Sequence, residues 1–377
     1  MKEQFLLTPG PSPVPEDVRL VLGKSMIHHR TDEFQAVLKD VHQGLKYVYK
    51  TENPVLVFAS SGTGAMEAGI ANFFSPQDTV IVIEAGKFGE RWVEIAQAYQ
   101  LKVVTIKVEW GQPFNKEALK KALKENPAAK GVFATLCETS TATVYNIEEI
   151  AGVVKENADC ILVVDAISGL GQDILKTDAW GVDVVISGSQ KGLMLPPGLS
   201  FISVSPKAML LLSTAKLPRY YFDIKKAHAA YAKDDTPYTP AVSLVRGLQV
   251  SLEMIKQQTI EKRWELYGKM AQALREAFKA IGLESFSKSP SRSVTALQCN
   301  FDSGLLLKKL RKEKSLSIAE GQGHLKGKIF RVAHMGCISE QDIVKGLSLI
   351  EAGLREVGYK DFKVGESLKR FQEVFHG

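Results

Sequence analysis

The sequence predicts an α/β fold: a mostly parallel, seven-stranded sheet in a large domain, followed by a smaller α+β domain at the C-terminal end. Two observations predict it. Seven short apolar runs, rich in β-branched residues, recur between residues 55 and 204, and most alternate with amphipathic stretches of helical period. Continuous runs of this kind are strands buried on both faces, the condition of a parallel sheet between helices. After Pro240 the pattern changes to long helical stretches with isolated strand-like runs between them.

Residues 1–15 read as an extended arm, because Pro9, Pro11, Pro13 and Pro15 restrict φ and remove donors. Residues 16–259 make the large domain, with strands at 55–59, 80–83, 103–106, 131–135, 160–164, 182–187 and 199–204. Helices are expected at 65–74, 91–99, 116–124 and 147–154. The last two strands are joined by a Gly- and Pro-containing link too short for a helical crossover, so that pair is expected to be antiparallel. Residues 243–281 read as one long helix or two joined, running into a small domain at 260–377. There, strands are expected at 294–301 and 328–333, and helices at 305–312 and 340–357.

With 377 residues, the chain is long enough to bury its core without staples, and 45% hydrophobic with 24% charged residues is ordinary for a globular protein. Forty-eight basic against 42 acidic residues leave a net charge of only +6. The basic residues fall in short helical groups, such as Lys116, Lys120, Lys121 and Lys124, or Lys308, Lys309, Arg311 and Lys312. These read as solvated helix faces, so no nucleic-acid partner is expected. The four cysteines, at 137, 160, 299 and 337, show neither CxxC pairs nor metal-ligand spacing. They are expected to be buried, reduced thiols, with no metal. No signal-peptide pattern and no apolar run of membrane-spanning length is present, so a soluble, cytoplasmic protein is expected.

Ligands of open α/β sheets bind beyond the carboxyl ends of the strands, so the residues following each run carry the functional reading. After 55–59 comes Ser60-Ser61-Gly62-Thr63-Gly64, opening a helix. Glycines at a helix N-terminus let backbone amides approach an anion, and Ser61 and Thr63 add hydroxyls; a tight turn with an N-cap is the alternative. After 160–164 comes Asp165, a carboxylate ending a buried strand, either partnering a buried cation or capping a turn. After 182–187 comes Lys191 amid glycines, prolines and apolar residues, either a desolvated nucleophilic amine or a snorkelling side chain. An anion cradle, an acid and a lysine on three strand ends are the three partners that pyridoxal phosphate requires.

With these residues in place, the chain resembles the class V aminotransferases of the fold-type I pyridoxal-phosphate enzymes, and within them the alanine–glyoxylate, serine–glyoxylate and serine–pyruvate branch. The matching motifs are PGPSPVP (9–15), HHRTDEF (28–34), SGTGAMEA (61–68), GKFGERW (86–92), ETSTA (138–142), DAISGLG (165–171), SGSQKGLMLPPGLSF (187–201), TPYTPAVSL (236–244) and FRVAHMG (330–336). The resemblance implies that Lys191 forms the Schiff base and that Asp165 pairs with the pyridinium nitrogen. It implies that Phe88 stacks on the ring, that Thr139 and Ser140 lie near its substituents, and that Ser61, Gly62, Thr63 and Gln190 hold the phosphate. Arg331 would clamp the substrate α-carboxylate as a bidentate fork; without the resemblance it reads as an ordinary solvated strand-end arginine. Gly10, His29 and Arg30 fall among the substrate-binding positions. The family also implies a homodimer in which Thr236, Tyr238 or Thr239 reaches the partner's phosphate.

Gly192, Ala142 and Ala333 depart from the residues common in the family at those positions, and none touches a role the chemistry requires. The implied activity is ping-pong transfer of an amino group from alanine or serine to glyoxylate or pyruvate. A phosphoserine or aspartate aminotransferase is the alternative, because a His29-Arg30 pair suits a phosphate or second carboxylate. A cysteine desulfurase would require Cys337 or Cys299 as nucleophile, and neither lies in a motif of that kind. A non-catalytic relative would have lost Lys191 or Asp165, and both are present.

Overall fold

A computed structural model describes residues 4–377. The central sheet has seven strands in the order Val55–Phe58, Ser200–Val204, Val184–Gly188, Ile161–Asp165, Gly131–Thr135, Thr79–Glu84, Lys102–Lys107. Only Ser200–Val204 runs antiparallel to its neighbours; the remaining pairings are parallel. The link after Gly188 holds no helix and returns the chain directly, as its length requires.

Helices cover both faces. Along Ile161–Asp165, Leu162 and Val164 join one core cluster while Ile161 and Val163 join the other. Successive strand side chains point to opposite faces, so a strand apolar at every position has to be covered twice. Among the described residues no helix is long and apolar enough to cross a membrane.

The smaller C-terminal unit is an antiparallel sheet in the order Val294–Gln298, Ile329–Ala333, Ala319–Glu320, packed under Ser303–Glu313, Glu340–Glu356 and Glu366–His376. The 243–281 stretch is two helices, Val242–Gln258 and Ile260–Ala280, broken at Thr259, where φ is 60°. A β-branched residue adopts a positive φ only at a break enforced by its surroundings. The N-terminal residues are less isolated than an arm suggests. Phe5–Leu6 pairs in parallel with Leu316–Ser317, and Leu7 is buried in the C-terminal core.

Asp173 joins the two layers. It is 1% exposed and accepts hydrogen bonds from the Ser291 hydroxyl (2.8 Å) and the Arg292 amide (2.7 Å). Burial raises its carboxyl to about 6, against which these hydrogen bonds act. The unfolded value is about 4, so between about pH 4 and 6 the native state holds more protons and stability falls as pH rises. Asp173→Asn is expected to flatten this slope by on the order of 2 kcal/mol across the interval, read as Tm against pH. An unchanged slope would refute the assignment.

Candidate active site

The three strand ends converge. The helix Gly62–Ala71 leaves the Val55–Phe58 edge and packs across Val184–Gly188 and Ser200–Val204. Ser61, its N-cap, makes no capping hydrogen bond, and the Gly62 and Thr63 amides meet no acceptor among the described residues. These are the unfilled donors of a helix N-terminus, where an anion is stabilised. A Cβ on Gly62 would lie 2.5 Å from Ile167 Cδ1, so only glycine lets this turn settle over the DAISGLG loop. On the facing strand end, Gln190 Oε1 is buried without a partner among the described residues, and a Cβ on Gly188 would lie 2.9 Å from it and 3.5 Å from Gly62 N.

Asp165 is the last residue of its strand rather than the residue after it, and is 2% exposed. Its Oδ1 accepts from the Ile167 amide at 2.8 Å. Burial raises its carboxyl to about 7, and Glu138 adds to this, while Arg91 and Lys191 pull it down.

Lys191 is 8% exposed. Burial lowers its amine to about 8, against the pull of the Asp165 carboxylate. Its Nζ donates to the Pro9 carbonyl. Gly10, at φ +119°, lies so close that a Cβ there would sit 2.5 Å from Lys191 Nζ. Ser12 completes the contact, its amide donating to Gln190 O (3.0 Å) and its hydroxyl to Lys191 O (2.9 Å).

Phe88 stands in the first turn of Lys87–Ala98, half-buried, with the Arg91 guanidinium 4.9 Å from its ring centre. Arg91 also reaches the Thr63 hydroxyl at 3.4 Å. Thr139 is buried, its hydroxyl donating to Ser168. The Ser140 hydroxyl is committed to Glu138 Oε1 (2.5 Å) and to the Lys87 amide (3.1 Å).

Arg331 is no solvated strand-end residue. It sits in the middle of Ile329–Ala333 and is 5% exposed, which pulls its guanidinium down to about 10. Its hydrogen-bond partners are carbonyls: Thr139 O at 2.8 Å, and Glu320 O at 2.6 and 3.1 Å. Strand pairing on both sides buries it, which the local pattern around a single arginine does not reveal.

The remaining candidates form a second group. Arg30 pairs with Asp235 and donates to Thr236 O at 3.0 Å, and His29 lines a hollow with Thr239 and Pro240. The Thr236 hydroxyl donates to Tyr238 O (2.8 Å), and the Tyr238 hydroxyl to Tyr220 O (3.0 Å). None of these residues is hydrogen-bonded to Lys191, Asp165 or Gln190 of the same chain among the described residues.

Sequence reasoning passed over Arg91, Ser168 and Glu138. Their signals were their places inside GKFGERW, DAISGLG and ETSTA. The cysteines are all free, but only Cys137 and Cys160 are buried; Cys299 and Cys337 are half-buried. Burial pushes the Cys299 thiol up to about 12 and the Cys337 thiol up to about 11, the reverse of what a nucleophilic thiolate needs. Among the described residues, no three His, Cys, Asp or Glu side chains gather as a metal site.

The free amides opening Gly62–Ala71, the buried acid and the buried amine fit the phosphate, ring nitrogen and aldehyde of pyridoxal phosphate. The family model described as Aminotransferase class-V matches residues 19–325. The chain is 42% identical over 376 residues to the Anabaena cylindrica protein named soluble hydrogenase 42 kDa subunit, covering 98% of each chain. It is 32% identical to the L-aspartate–glyoxylate aminotransferase of Paracoccus denitrificans, covering 98% of this chain and 96% of the relative. Among solved structures, the alanine–glyoxylate aminotransferase of Nostoc sp. superposes with a TM-score of 0.90 at 30% identity, over 94% of this chain and 96% of that one. Fold, site chemistry and relatives agree: this chain belongs to the class V aminotransferases, enzymes whose cofactor is pyridoxal phosphate.

Proposed function

We propose that the enzyme transfers an amino group from a small neutral donor, alanine or serine, to glyoxylate or pyruvate in two ping-pong halves. The observation that carries the choice of donor is the state of Arg30. It is the basic residue suited to a distal acidic group, and it is held by Asp235 and the Thr236 carbonyl. Glyoxylate as acceptor is supported by the names of the Paracoccus and Nostoc relatives.

Pyridoxal phosphate supplies an aldehyde for the amine and a ring that accepts electrons from the α-carbon. The chain's residues do the rest. Gly62, Thr63, Ser61 and Gln190 would hold the phosphate, and Phe88 would face the ring. Asp165 holds a proton at the pyridine nitrogen. Lys191, released by the incoming amine, takes the α-proton and returns it as general base and acid. Arg331 binds the α-carboxylate through its fork and so fixes which bond to the α-carbon faces Lys191. The enzyme acts as a homodimer in this proposal, with Thr236, Tyr238 or Thr239 completing the partner's phosphate site.

Aspartate is the second reading for the donor. Half-buried Arg91, over the Phe88 ring and among the described residues hydrogen-bonded only to Thr63, favours it. Measuring kcat/KM for alanine, serine, aspartate and phosphoserine in wild type, Arg30→Ala and Arg91→Ala separates the readings. Preference for alanine or serine, with Arg30→Ala altering dimer stability more than donor choice, is expected. A wild-type preference for an acidic donor, abolished by Arg91→Ala or by Arg30→Ala, would replace the first reading.

A further inference from the structure

Glu138 is 0% exposed, yet it forms no salt bridge with any described residue and has no place in the proton transfers above. Its Oε2 accepts from the Phe88 amide at 3.0 Å and the Gly89 amide at 3.1 Å. Its Oε1 accepts from the Ser140 amide at 3.2 Å and the Ser140 hydroxyl at 2.5 Å. Three of the four contacts come from backbone amides, which cannot receive a carboxyl proton, and the Ser140 hydroxyl, already accepting from the Lys87 amide, is placed to donate its own hydrogen. Burial pushes the Glu138 carboxyl up from its ordinary value, and these donors, among them the free first-turn amides of Lys87–Ala98, act against that shift and favour the anion.

The four contacts join parts of the site that lie far apart in sequence. Phe88 and Gly89 open the helix that carries the stacking ring, and Arg91 lies one turn further on. Ser140 follows Thr139, whose carbonyl holds Arg331 Nη1 at 2.8 Å. Space is reserved for the arrangement: a Cβ on Gly86 would lie 2.5 Å from Glu138 Cγ and Cδ. Arg331 has only carbonyl partners, and the carboxylate whose charge most favours its cationic form is Glu138. One buried carboxylate thus ties the Phe88 turn to the Thr139–Ser140 turn and, through the Thr139 carbonyl, to the guanidinium.

We infer that Glu138 is a positioning residue for substrate carboxylate binding: an ionised, fully buried carboxylate that sets Arg331 relative to Phe88. This rests on the reading of Arg331 as the α-carboxylate site. The expected signature is on binding rather than on proton transfer, because no reacting atom touches Glu138.

Glu138→Gln keeps the shape but turns one oxygen into an NH2 that faces donors, either at Phe88 and Gly89 or at Ser140. Propionate, a carboxylate without an amine, probes Arg331 independently of turnover, and calorimetry on the cofactor-loaded protein gives its Kd. Glu138→Gln is expected to weaken propionate and to raise KM for donor and acceptor alike by roughly 10- to 10²-fold, the scale of a misplaced binding group. The kcat should stay within about threefold, the pattern of lost uniform binding. The visible circular dichroism of the bound cofactor should also change, reporting the displaced Phe88 turn.

Ser140→Ala removes one of the four donors, should shift the same quantities less, and decides the matter if Glu138→Gln does not fold. Unchanged KM and propionate affinity with only a lower Tm would overturn the inference, as would a loss confined to kcat. Arg331→Ala distinguishes the underlying reading. If it leaves propionate binding intact, Arg331 is not the carboxylate site and both statements fall. If it abolishes binding while Glu138→Gln and Ser140→Ala do not weaken it, only the role of Glu138 falls.

Discussion

Lys191→Ala is expected to reduce transamination by on the order of 10⁴-fold, the upper range for a lost general acid–base group. The amine sits 8% exposed behind Gly10, and its burial holds it near 8 rather than at the ordinary lysine value. Near neutral pH a useful share of the amine is therefore uncharged and nucleophilic. The alanine variant should still retain cofactor noncovalently, because the phosphate donors and Asp165 are untouched. Two measurements check this. Borohydride reduction followed by peptide mapping should label Lys191, and label on another lysine would end the assignment. Uptake of pyridoxal phosphate by the apoprotein should accelerate as pH rises through about 8, since the lowered value leaves more free amine above it. A rate flat from pH 7 to 9 would contradict a depressed amine.

Asp165→Asn should slow the proton-abstraction step by on the order of 10²- to 10³-fold, the cost typical of removing a preorganised electrostatic partner. The side chain ends its strand 2% exposed and fixed by the Ile167 amide at 2.8 Å, so the amide variant should occupy the same place. Without a cation the carboxylate is costly to bury, which is why it is raised to about 7. A protonated ring nitrogen would relieve that cost and be held by it in turn. Asparagine keeps the shape and loses the charge, so cofactor binding should weaken far less than the single-turnover rate. A near-normal single-turnover rate would remove Asp165 from the mechanism.

Both residues are legible in the amino-acid sequence, because their signals are local. Asp165 ends a run whose every residue is apolar, and Lys191 follows a run apolar but for Asp183 and Ser187 into a glycine- and proline-rich link. A strand buried on both faces announces itself by composition, and the position just past it is then the ligand-binding edge. The parallel sheet follows from the same pattern, as does the single antiparallel excursion, which depends only on the length of a link. Element ends are less legible. The strand expected at 160–164 runs one residue further along, Ile161–Asp165, because pairing with Gly131–Thr135 and Val184–Gly188 settles where it stops.

What only the tertiary structure decided involves contacts between distant segments. The Pro9 carbonyl meets Lys191 Nζ from 182 residues away, and no periodicity in either segment encodes that approach. Arg331 looks like a solvated arginine until strands on both sides bury it and the Thr139 carbonyl, 192 residues distant, receives its Nη1. Glu138 looks like one more acid in a polar motif until Phe88, Gly89 and Ser140 close around it. The sequence by itself determined the seven strands of the large sheet, the helices between them and the chemistry at the strand ends, since each depends on burial pattern over a few neighbours, while helices outside that alternation, such as Asp32–Tyr49 and Glu366–His376, went unread. Which charged side chains lose water, and which groups then satisfy them, depends on how the layers stack, and that is a property of the assembled fold alone.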